Sequence, residues 1–306
     1  MTDADGDGGA TVEPNGDIEL GPGEPAAGPW RVQPLPVFAR SVVRAAEASD
    51  GRLGGNPGGR LWGNVDGRPD NDSGGQPRDV AGGQPRDVAG GRPRDVAGGR
   101  PRGDAGGRPR VIAVDGRGGG GKTTLAGRLA RALGAAAVVH SDDVAWAHSR
   151  FGWDDLMIDG ILEPLRAGGA VRYRPPGWER DGRDGHIEVP AGLATVIVEG
   201  VGVSRETLAP YLDVAIWVQS DYAEAKRRGV RRDMAEEGRD AEEADRNWEE
   251  WEAEEVPFLL GDRPWRRARF IVGTASALAH DPATEVVVSD GPAGHVADVA
   301  PRRETD

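Results

Sequence analysis

A short apolar strand, a glycine-rich loop and an amphipathic helix follow one another between residues 111 and 134. The strand, Val111 to Val114, is a β-branched run of the kind that fills a central strand buried on both faces. The helix carries Leu125, Leu129 and Leu133 at intervals of four, so one of its faces is apolar. A unit of this kind predicts an α/β fold with the loop at the carboxyl end of a buried strand.

Strand and helix patterns continue to alternate after this unit, which predicts a parallel sheet covered by helices on both faces. The predicted strands are Ala135 to Val139, Thr195 to Val198 and Val214 to Val218, and the predicted helices are Trp153 to Leu165, Tyr222 to Glu236 and Asp240 to Glu255. Ligands of such sheets bind at the carboxyl ends of the strands, so functional residues are expected where these strands end.

The sequence before residue 110 is rich in glycine and proline, and residues 1–29 are also acidic, which is typical of disorder. One amphipathic helix is predicted there by apolar residues at helical spacing, namely Phe38, Val42, Val43 and Ala46. The expected organisation is a largely disordered region at 1–109 with a helix at 36–49, a folded domain at 110–290, and a disordered tail at 291–306.

Four related copies of an eight-residue unit, of the type GGQPRDVA, begin at Gly74, Gly82, Gly90 and Gly98. Each copy has a glycine pair, a proline and little apolar surface, so the repeats cannot bury a core. A repeat-expanded flexible linker is the simpler interpretation. The other is a tract that docks a partner through its regularly spaced arginines and aspartates.

Net charge and residue usage exclude several kinds of protein. The formal charge of −13 disfavours binding to nucleic acid or to an anionic membrane. Cysteine is absent, which excludes disulfides, thiolate metal sites and cysteine catalysis. The N-terminus lacks the apolar core of a signal peptide, and no apolar run approaches the ~18 residues that span a bilayer. A cytoplasmic location is therefore expected.

The loop from Gly116 to Thr123 matches the phosphate-binding pattern G-x4-G-K-[ST]. A glycine-rich chain can match this pattern by accident, but here a strand precedes the loop and an amphipathic helix follows it. Lys122 is also one of only two lysines in a chain that otherwise uses arginine. A compact ammonium suits a nest of backbone amides better than a flat guanidinium does. The loop therefore predicts a three-layer P-loop NTPase fold with a central parallel sheet and a helical lid.

The loop is expected to bind the phosphates of a nucleoside triphosphate. Its backbone N–H groups reach phosphate oxygens without a Cβ in the way, and the positive end of the helix adds to this field. The Lys122 ammonium is expected to contact the β- and γ-phosphates, and the Thr123 hydroxyl to ligate Mg²⁺. The predicted cofactor-binding residues are Gly116, Gly118, Gly119, Gly120, Gly121, Lys122, Thr123 and Thr124.

Acidic residues follow two of the predicted strands. Asp142, in the sequence HSDD, is expected to accept a proton from an acceptor hydroxyl, to help place Mg²⁺, or both; capping the next helix is the alternative. Glu199 follows the apolar strand that begins at Thr195 and is expected to contact Mg²⁺, the alternative being an ordinary surface strand end. Thr123, Asp142 and Glu199 are thus the candidate metal ligands.

Basic residues are concentrated between residues 226 and 232 of an otherwise acidic chain. Arg228 and Arg232 share a helical face and are expected to close over the triphosphate and stabilise charge during transfer. Arg227 and Arg231 fit a solvated face paired with the acids that follow. No Asn-Lys-x-Asp guanine-reading motif is present, which argues against a GTPase.

The succession VIAVDGRGGGGKTT, HSDD, YRPPGWE, VIVEG and RRGVRRDMAEEGRD resembles the uridine kinase family of small-molecule kinases, whose relatives include pantothenate kinase and phosphoribulokinase. The resemblance covers residues 111–274. It implies ATP- and Mg²⁺-dependent phosphorylation of a hydroxyl, typically the 5′-hydroxyl of a nucleoside. It also implies that Asp142 is the catalytic base and Glu199 a magnesium-site acid. The lid arginines that it implies are Arg228, Arg232 and Arg239.

The segment that holds the nucleoside in this family is Tyr-Asp-aromatic, whereas Pro176-Gly177-Trp178 stands in its place here. The aromatic side chain is kept, but a hydroxyl and a carboxylate are missing. The candidate acceptor-binding residues are Asp154, Asp155, Tyr173 and Trp178, and the two aspartates suit the first turn of a helix equally well. Three functions stay open: a uridine kinase-like enzyme, a kinase for another acceptor such as a phosphosugar or a pantothenate-like molecule, and a non-catalytic nucleotide-binding module with an interaction tail.

Overall fold

The computed structural model describes residues 18–53 and 107–292, and the side chains of all of these except residues 50–53. Residues 1–17, the octapeptide repeats and the tail beyond residue 292 lie outside the described residues. The disorder expected for those segments therefore stays a prediction.

The described residues form nine strands, which are β1 (Arg31–Pro34), β2 (Arg110–Gly116), β3 (Ala136–His140), β4 (Val171–Tyr173), β5 (Ile187–Val189), β6 (Thr195–Glu199), β7 (Val214–Gln219), β8 (Phe270–Gly273) and β9 (Glu285–Asp290). Their α-helices are α1 (Leu35–Leu53), α2 (Lys122–Leu133), α3 (Ser141–Val144), α4 (Asp154–Met157), α5 (Glu163–Arg166), α6 (Pro176–Arg180), α7 (Tyr222–Glu237) and α8 (Ala241–Asp262). A π-helical turn at Ile158–Leu162 joins α4 to α5. None of these helices is long and apolar enough to cross a membrane.

Seven of the described strands form one sheet in the order β1-β9-β8-β7-β2-β6-β3. The five strands from β8 to β3 in this order are parallel, β9 pairs antiparallel with β8, and β1 pairs antiparallel with β9. β4 and β5 form a separate antiparallel hairpin. The predicted α/β fold is confirmed, but the sheet is mostly rather than wholly parallel, because β9 and β1 form antiparallel pairs. Neither of these two strands was predicted from the sequence.

Alternate residues of the central strands face two different cores. On one face, Ile112 of β2 belongs to a cluster with Leu125 and Leu129 of α2 and with residues of α1. On the other face, Val111 belongs to a cluster with Trp153 and with the helical segment around α4 and α5. The strands are therefore apolar on both faces, and the domain has three layers.

The N-terminal segment belongs to the folded domain. β1 pairs with β9, with Arg31 opposite Val288, and α1 buries Phe38 and Val42 in the same core as α2. The helix predicted at 36–49 corresponds to α1. The domain boundary expected at residue 110 and the disorder expected at residues 18–29 are corrected, because this segment covers one face and one edge of the sheet.

The substitution Phe38→Ala tests whether α1 is part of the core. Phe38 is fully buried, and its ring packs edge-on against Phe270 with 5.5 Å between centroids. We expect Phe38→Ala to lower the free energy of unfolding by about 3–5 kcal/mol, because it leaves a cavity. Arg40→Ala, on the exposed face of the same helix, should leave it nearly unchanged. Urea unfolding of the full chain measures both, and equal midpoints would contradict a packed helix.

Candidate functional site

The glycine loop lies between the end of β2 and the start of α2. Gly119 has a φ of 66°, and a Cβ there would clash with the carbonyl oxygen of Ala225 in α7. A Cβ at Gly116 would lie 2.7 Å from the carbonyl oxygen of Val218 in β7. Both positions require glycine, because the loop backbone packs directly on a neighbouring strand and on α7.

Lys122 folds back over this loop. Its ammonium donates to the Arg117 carbonyl at 2.8 Å, and the residue is 8% exposed. Backbone N–H groups of the loop and of the first turn of α2 find no acceptor among the described residues at Gly119, Gly121, Lys122, Thr123 and Thr124. A buried ammonium beside unpaired N–H groups at a helix N-terminus is a site for an anion.

The buried Asp115 carboxylate connects the loop to the segment after β6. Its Oδ1 accepts from the N–H groups of Gly116 at 2.7 Å and Gly202 at 2.8 Å. Its Oδ2 accepts from the N–H and the hydroxyl of Ser204, at 2.8 and 2.7 Å. No role was predicted for Asp115 from the sequence. The pattern that could have indicated one is a single acidic residue at the end of an apolar strand. It fixes where the loop leaves the sheet.

Residues 18–30, which we call the N-terminal strap, lie against the loop. Glu24 of the strap is buried, and its carboxylate accepts from Arg117 Nε at 3.3 Å, from Trp217 Nε1 at 2.5 Å and from Gln219 Nε2 at 3.0 Å. Burial raises the pKa of this carboxyl, although the hydrogen bond from Trp217 and the charge of Arg117 oppose the rise. The strap therefore holds the second residue of the loop through a buried ion pair.

Helix α8 contacts the loop as well. Glu255 of α8 accepts from the N–H of Gly118 at 2.6 Å and lies 3.8 Å from Arg117 Nη1. From the strap, the Pro22 carbonyl accepts from Arg117 Nη2 at 2.7 Å. Arg117 is thus enclosed between the strap and α8, and no local sequence pattern pairs residues so far apart along the chain.

Glu199, at the end of β6, lies beside the start of α2. The Thr123 hydroxyl donates to Glu199 Oε1 at 3.2 Å. His140, at the end of β3, contacts the same oxygen through Nδ1. The hydrogen bond to Glu199 raises the pKa of the His140 imidazole, more than burial lowers it. Two of the three candidate metal ligands are therefore together, and His140 joins them without having been assigned a role from the sequence.

The third candidate ligand, Asp142, lies in the first turn of α3 with its side chain exposed. Among residues 18–53 and 107–292, no group of three or more His, Cys, Asp or Glu side chains is arranged to hold a metal ion. The Thr123 hydroxyl and the Glu199 carboxylate nevertheless suit Mg²⁺, which is commonly bound by one or two carboxylates, waters and substrate phosphates.

α7 and α8 form a helical hairpin beside the loop. The ring of Trp248 in α8 packs onto Gly229 in α7, where a Cβ would clash with it. Arg228 faces the loop, since its Nη1 lies 3.8 Å from the place that a Cβ of Gly121 would take. Arg239 follows α7 and pairs with Glu237 at 2.6 Å. Of these two arginines, only Arg228 has a contact that places it at the loop.

Arg232 lies in α7, and its side chain is 55% exposed. Burial lowers the pKa of its guanidinium, but a hydrogen bond to Asp233 and the charges of Asp233 and Asp142 raise the pKa overall. Asp233 also accepts from Asn247 of α8 at 2.8 Å, which ties the two helices together. The charge of Asp142 thus contributes to the raised pKa of Arg232.

The two candidate aspartates lie in the first turn of α4. Asp154 is 3.7 Å from Arg205, and Asp155 accepts from the N–H of Leu156 at 2.8 Å. These contacts agree with the helix-terminus interpretation. Asp154 is thus paired with the Arg205 guanidinium.

The two candidate aromatic residues lie on or next to the β4–β5 hairpin. Tyr173 packs onto Gly160, and burial raises the pKa of its hydroxyl together with the charges of Asp155 and Asp159. Trp178 is 5% exposed, and its indole N–H donates to the Asp143 carbonyl at 2.8 Å. Trp178 is therefore next to the α3 carboxylates but is mostly covered.

No protein-family model matches the sequence, and no curated protein matches it. A solved structure from Silicibacter sp. TM1040, provisionally described as a fructose transport system kinase, is 22% identical with a TM-score of 0.36, over 48% of this chain and 80% of that one. A structure described as a possible uridine kinase, from Bacillus stearothermophilus, is 19% identical with a TM-score of 0.34, over 54% and 88%. A Thermus thermophilus protein is 16% identical with a TM-score of 0.29, over 56% and 91%.

The uridine kinase resemblance seen in the motifs thus has a counterpart among solved structures that are described as kinases. Likeness at these values carries no argument about function. Any assignment of function to this chain rests on the side chains described above.

The substitution Asp115→Ala tests the connection between the loop and the segment after β6. We expect it to lower the free energy of unfolding by about 3–5 kcal/mol, because it leaves several buried donors without an acceptor. Ser204→Ala is the matched control, since it removes one donor from the same network and should cost about 1 kcal/mol. Guanidinium unfolding measures both variants. Equal losses would contradict the role of Asp115 as the common acceptor.

Proposed function

We propose that the chain is an ATP- and Mg²⁺-dependent kinase that transfers the γ-phosphoryl group to a hydroxyl of a small molecule. The observation that carries the proposal is the convergence of Lys122, the unpaired loop N–H groups and the Thr123–Glu199 pair at the carboxyl ends of β2 and β6. Asp142 lies in the first turn of α3, two residues after His140, which contacts Glu199. Phosphoryl transfer needs these parts, since its catalysis is largely positioning and electrostatic stabilisation.

The loop binds the phosphates of ATP. Lys122 exchanges its contact with the Arg117 carbonyl for phosphate oxygens, and the unpaired N–H groups of the loop and of the first turn of α2 donate to the same phosphates. The residues that bind the nucleotide are Gly116, Gly118, Gly119, Gly120, Gly121, Lys122, Thr123 and Thr124. Thr123, Glu199 and Asp142 hold Mg²⁺, which supplies neutralisation of the phosphate charge when it is bound.

Asp142 accepts the proton of the acceptor hydroxyl as that oxygen attacks phosphorus. Its exposed carboxylate lies two residues after the end of β3, and its charge contributes to the raised pKa of Arg232. Arg228, which faces the loop at Gly121, stabilises charge on the transferring phosphoryl group together with Arg232. Arg239 belongs to the same lid and contacts the nucleotide on closure.

The acceptor binds beside α3, where α4 and the β4–β5 hairpin lie. Asp154, Asp155, Tyr173 and Trp178 are its proposed contacts. A nucleoside hydroxyl is the acceptor that the resemblance to uridine kinases implies.

The substitution Asp142→Asn tests the base. We expect kcat to fall by about 10²- to 10⁴-fold, because no carboxylate then accepts the proton of the acceptor hydroxyl, while the affinity for ATP measured without Mg²⁺ is nearly unchanged. ADP release is measured with Mg²⁺ and a panel of nucleosides, sugars, sugar phosphates and pantothenate. Asp245→Asn, on the exposed surface of α8, is the control and should leave kcat unchanged.

Two outcomes would contradict the assignment. Unchanged turnover by Asp142→Asn on a confirmed acceptor would remove Asp142 as the base. Binding of ATP by the wild-type protein without transfer to any member of the panel would favour the non-catalytic nucleotide-binding module.

The substitution Glu24→Ala tests whether the strap positions the phosphate loop. Because Arg117 loses a buried partner, we expect the Kd for an ATP analogue to rise about tenfold, corresponding to about 1.4 kcal/mol. Glu47→Ala is the control, since Glu47 pairs with Arg110 on the exposed side of α1. Calorimetric titration measures the Kd, and circular dichroism verifies the fold. Equal affinities in Glu24→Ala and wild type would mean that the loop keeps its shape without the strap.

A further inference from the structure

Arg183 is held between two tryptophan rings next to the α3 carboxylates. Its guanidinium carbon lies 3.8 Å from the ring centroid of Trp178 and 4.5 Å from that of Trp146. Its Nη2 donates to Asp143 Oδ1 at 2.8 Å. Stacking on two indoles and an ion pair fix the orientation of the guanidinium, although the side chain is 31% exposed.

The segment that departs from the uridine kinase pattern builds this arrangement. A Cβ at Gly177 would clash with the Trp146 carbonyl, so only glycine lets α6 pack directly on the segment after α3. This packing places Trp178 so that its indole N–H reaches the Asp143 carbonyl. The Arg183 carbonyl accepts from Arg174 Nη2 at 2.9 Å, which adds a second guanidinium to the cluster.

Three donors of this cluster have no acceptor among the described residues. They are Arg183 Nη1, Trp146 Nε1 and Arg174 Nε, and each of these atoms is buried. Buried donors are satisfied in native proteins by protein, by ordered water or by ligand. Because all three are N–H groups, each requires an acceptor atom, and charged oxygens make the strongest such hydrogen bonds.

The charges of the cluster favour an anion. Asp143 is the one carboxylate that pairs with either of the two guanidiniums within the described residues, so the positive charge is only partly balanced. The guanidinium also covers one face of Trp178, the face on which a flat base would otherwise stack. An uncharged nucleoside therefore finds its stacking surface occupied.

We propose that Arg183, Arg174 and Trp146 form a subsite for an anionic group, a phosphate monoester or a carboxylate, carried by the acceptor. The inference rests on the proposed function, because it treats the space beside Asp142 as the acceptor site. Asp143, which pairs with Arg183, follows Asp142 directly in the chain, about 3.8 Å away between Cα atoms, so the subsite lies close to the proposed base. The acceptor class is then an anionic hydroxyl compound.

Direct binding tests the subsite without relying on turnover. Ribose monophosphate and gluconate serve as the phosphate and carboxylate probes, and ribose and uridine as uncharged probes, each titrated calorimetrically with an ATP analogue and Mg²⁺ present. We expect one or both anionic probes to bind wild type more tightly than the uncharged ones. Arg183→Gln should weaken the anionic probe about tenfold or more and leave the ATP analogue unaffected.

Arg172→Gln is the matched control, because Arg172 is an exposed arginine of the same hairpin that pairs with Glu188. Circular dichroism and the thermal midpoint verify that Arg183→Gln folds. Anionic probes that bind wild type and Arg183→Gln equally, or that bind neither, would overturn the subsite. Arg183-dependent binding without phosphorylation of the probe would support the subsite and count against the kinase function.

Discussion

A loop made of glycines has no side chains to fix its own shape, and buried carboxylates from other segments fix it here. Asp115 accepts four hydrogen bonds where the loop leaves β2. Glu24 of the strap accepts a hydrogen bond from Arg117, and Glu255 of α8 accepts one from the N–H of Gly118. Each carboxylate is buried, and a buried charge without partners is strongly destabilising, so the alternatives to this arrangement are costly. The arrangement of the unpaired loop N–H groups therefore depends on these three carboxylates.

Two contacts connect the glycine loop to helices α7 and α8. Gly119 packs on the carbonyl of Ala225 in α7, and Gly118 donates to Glu255 in α8. A movement of the α7–α8 hairpin therefore acts on the loop backbone directly, without a flexible side chain between them. Arg228, carried by that hairpin, also lies beside the loop at Gly121.

The parts of the fold that could be predicted are those with a local signal. β2 and β7 are continuous apolar runs, and α2 has leucines at intervals of four. The predicted bounds of all three elements lie within two residues of the observed ones. The strap has the composition of a disordered segment and is ordered only through contacts such as Glu24 with Arg117. β1 is the edge strand of the sheet and β9 is its neighbour. Their pairing joins segments far apart in the chain. Composition and periodicity carry no information about such pairs.

Local sequence was enough to recognise the glycine loop, its lysine and the acids at the strand ends, because backbone conformation and hydrophobic periodicity are properties of neighbouring residues. Packing decided what holds the loop and what lies beside Asp143. Arg183 stacks between Trp146 and Trp178 because Gly177 lets α6 approach the segment after α3. That contact depends on the shapes of two segments meeting in space. Such complementarity exists only once the chain has folded.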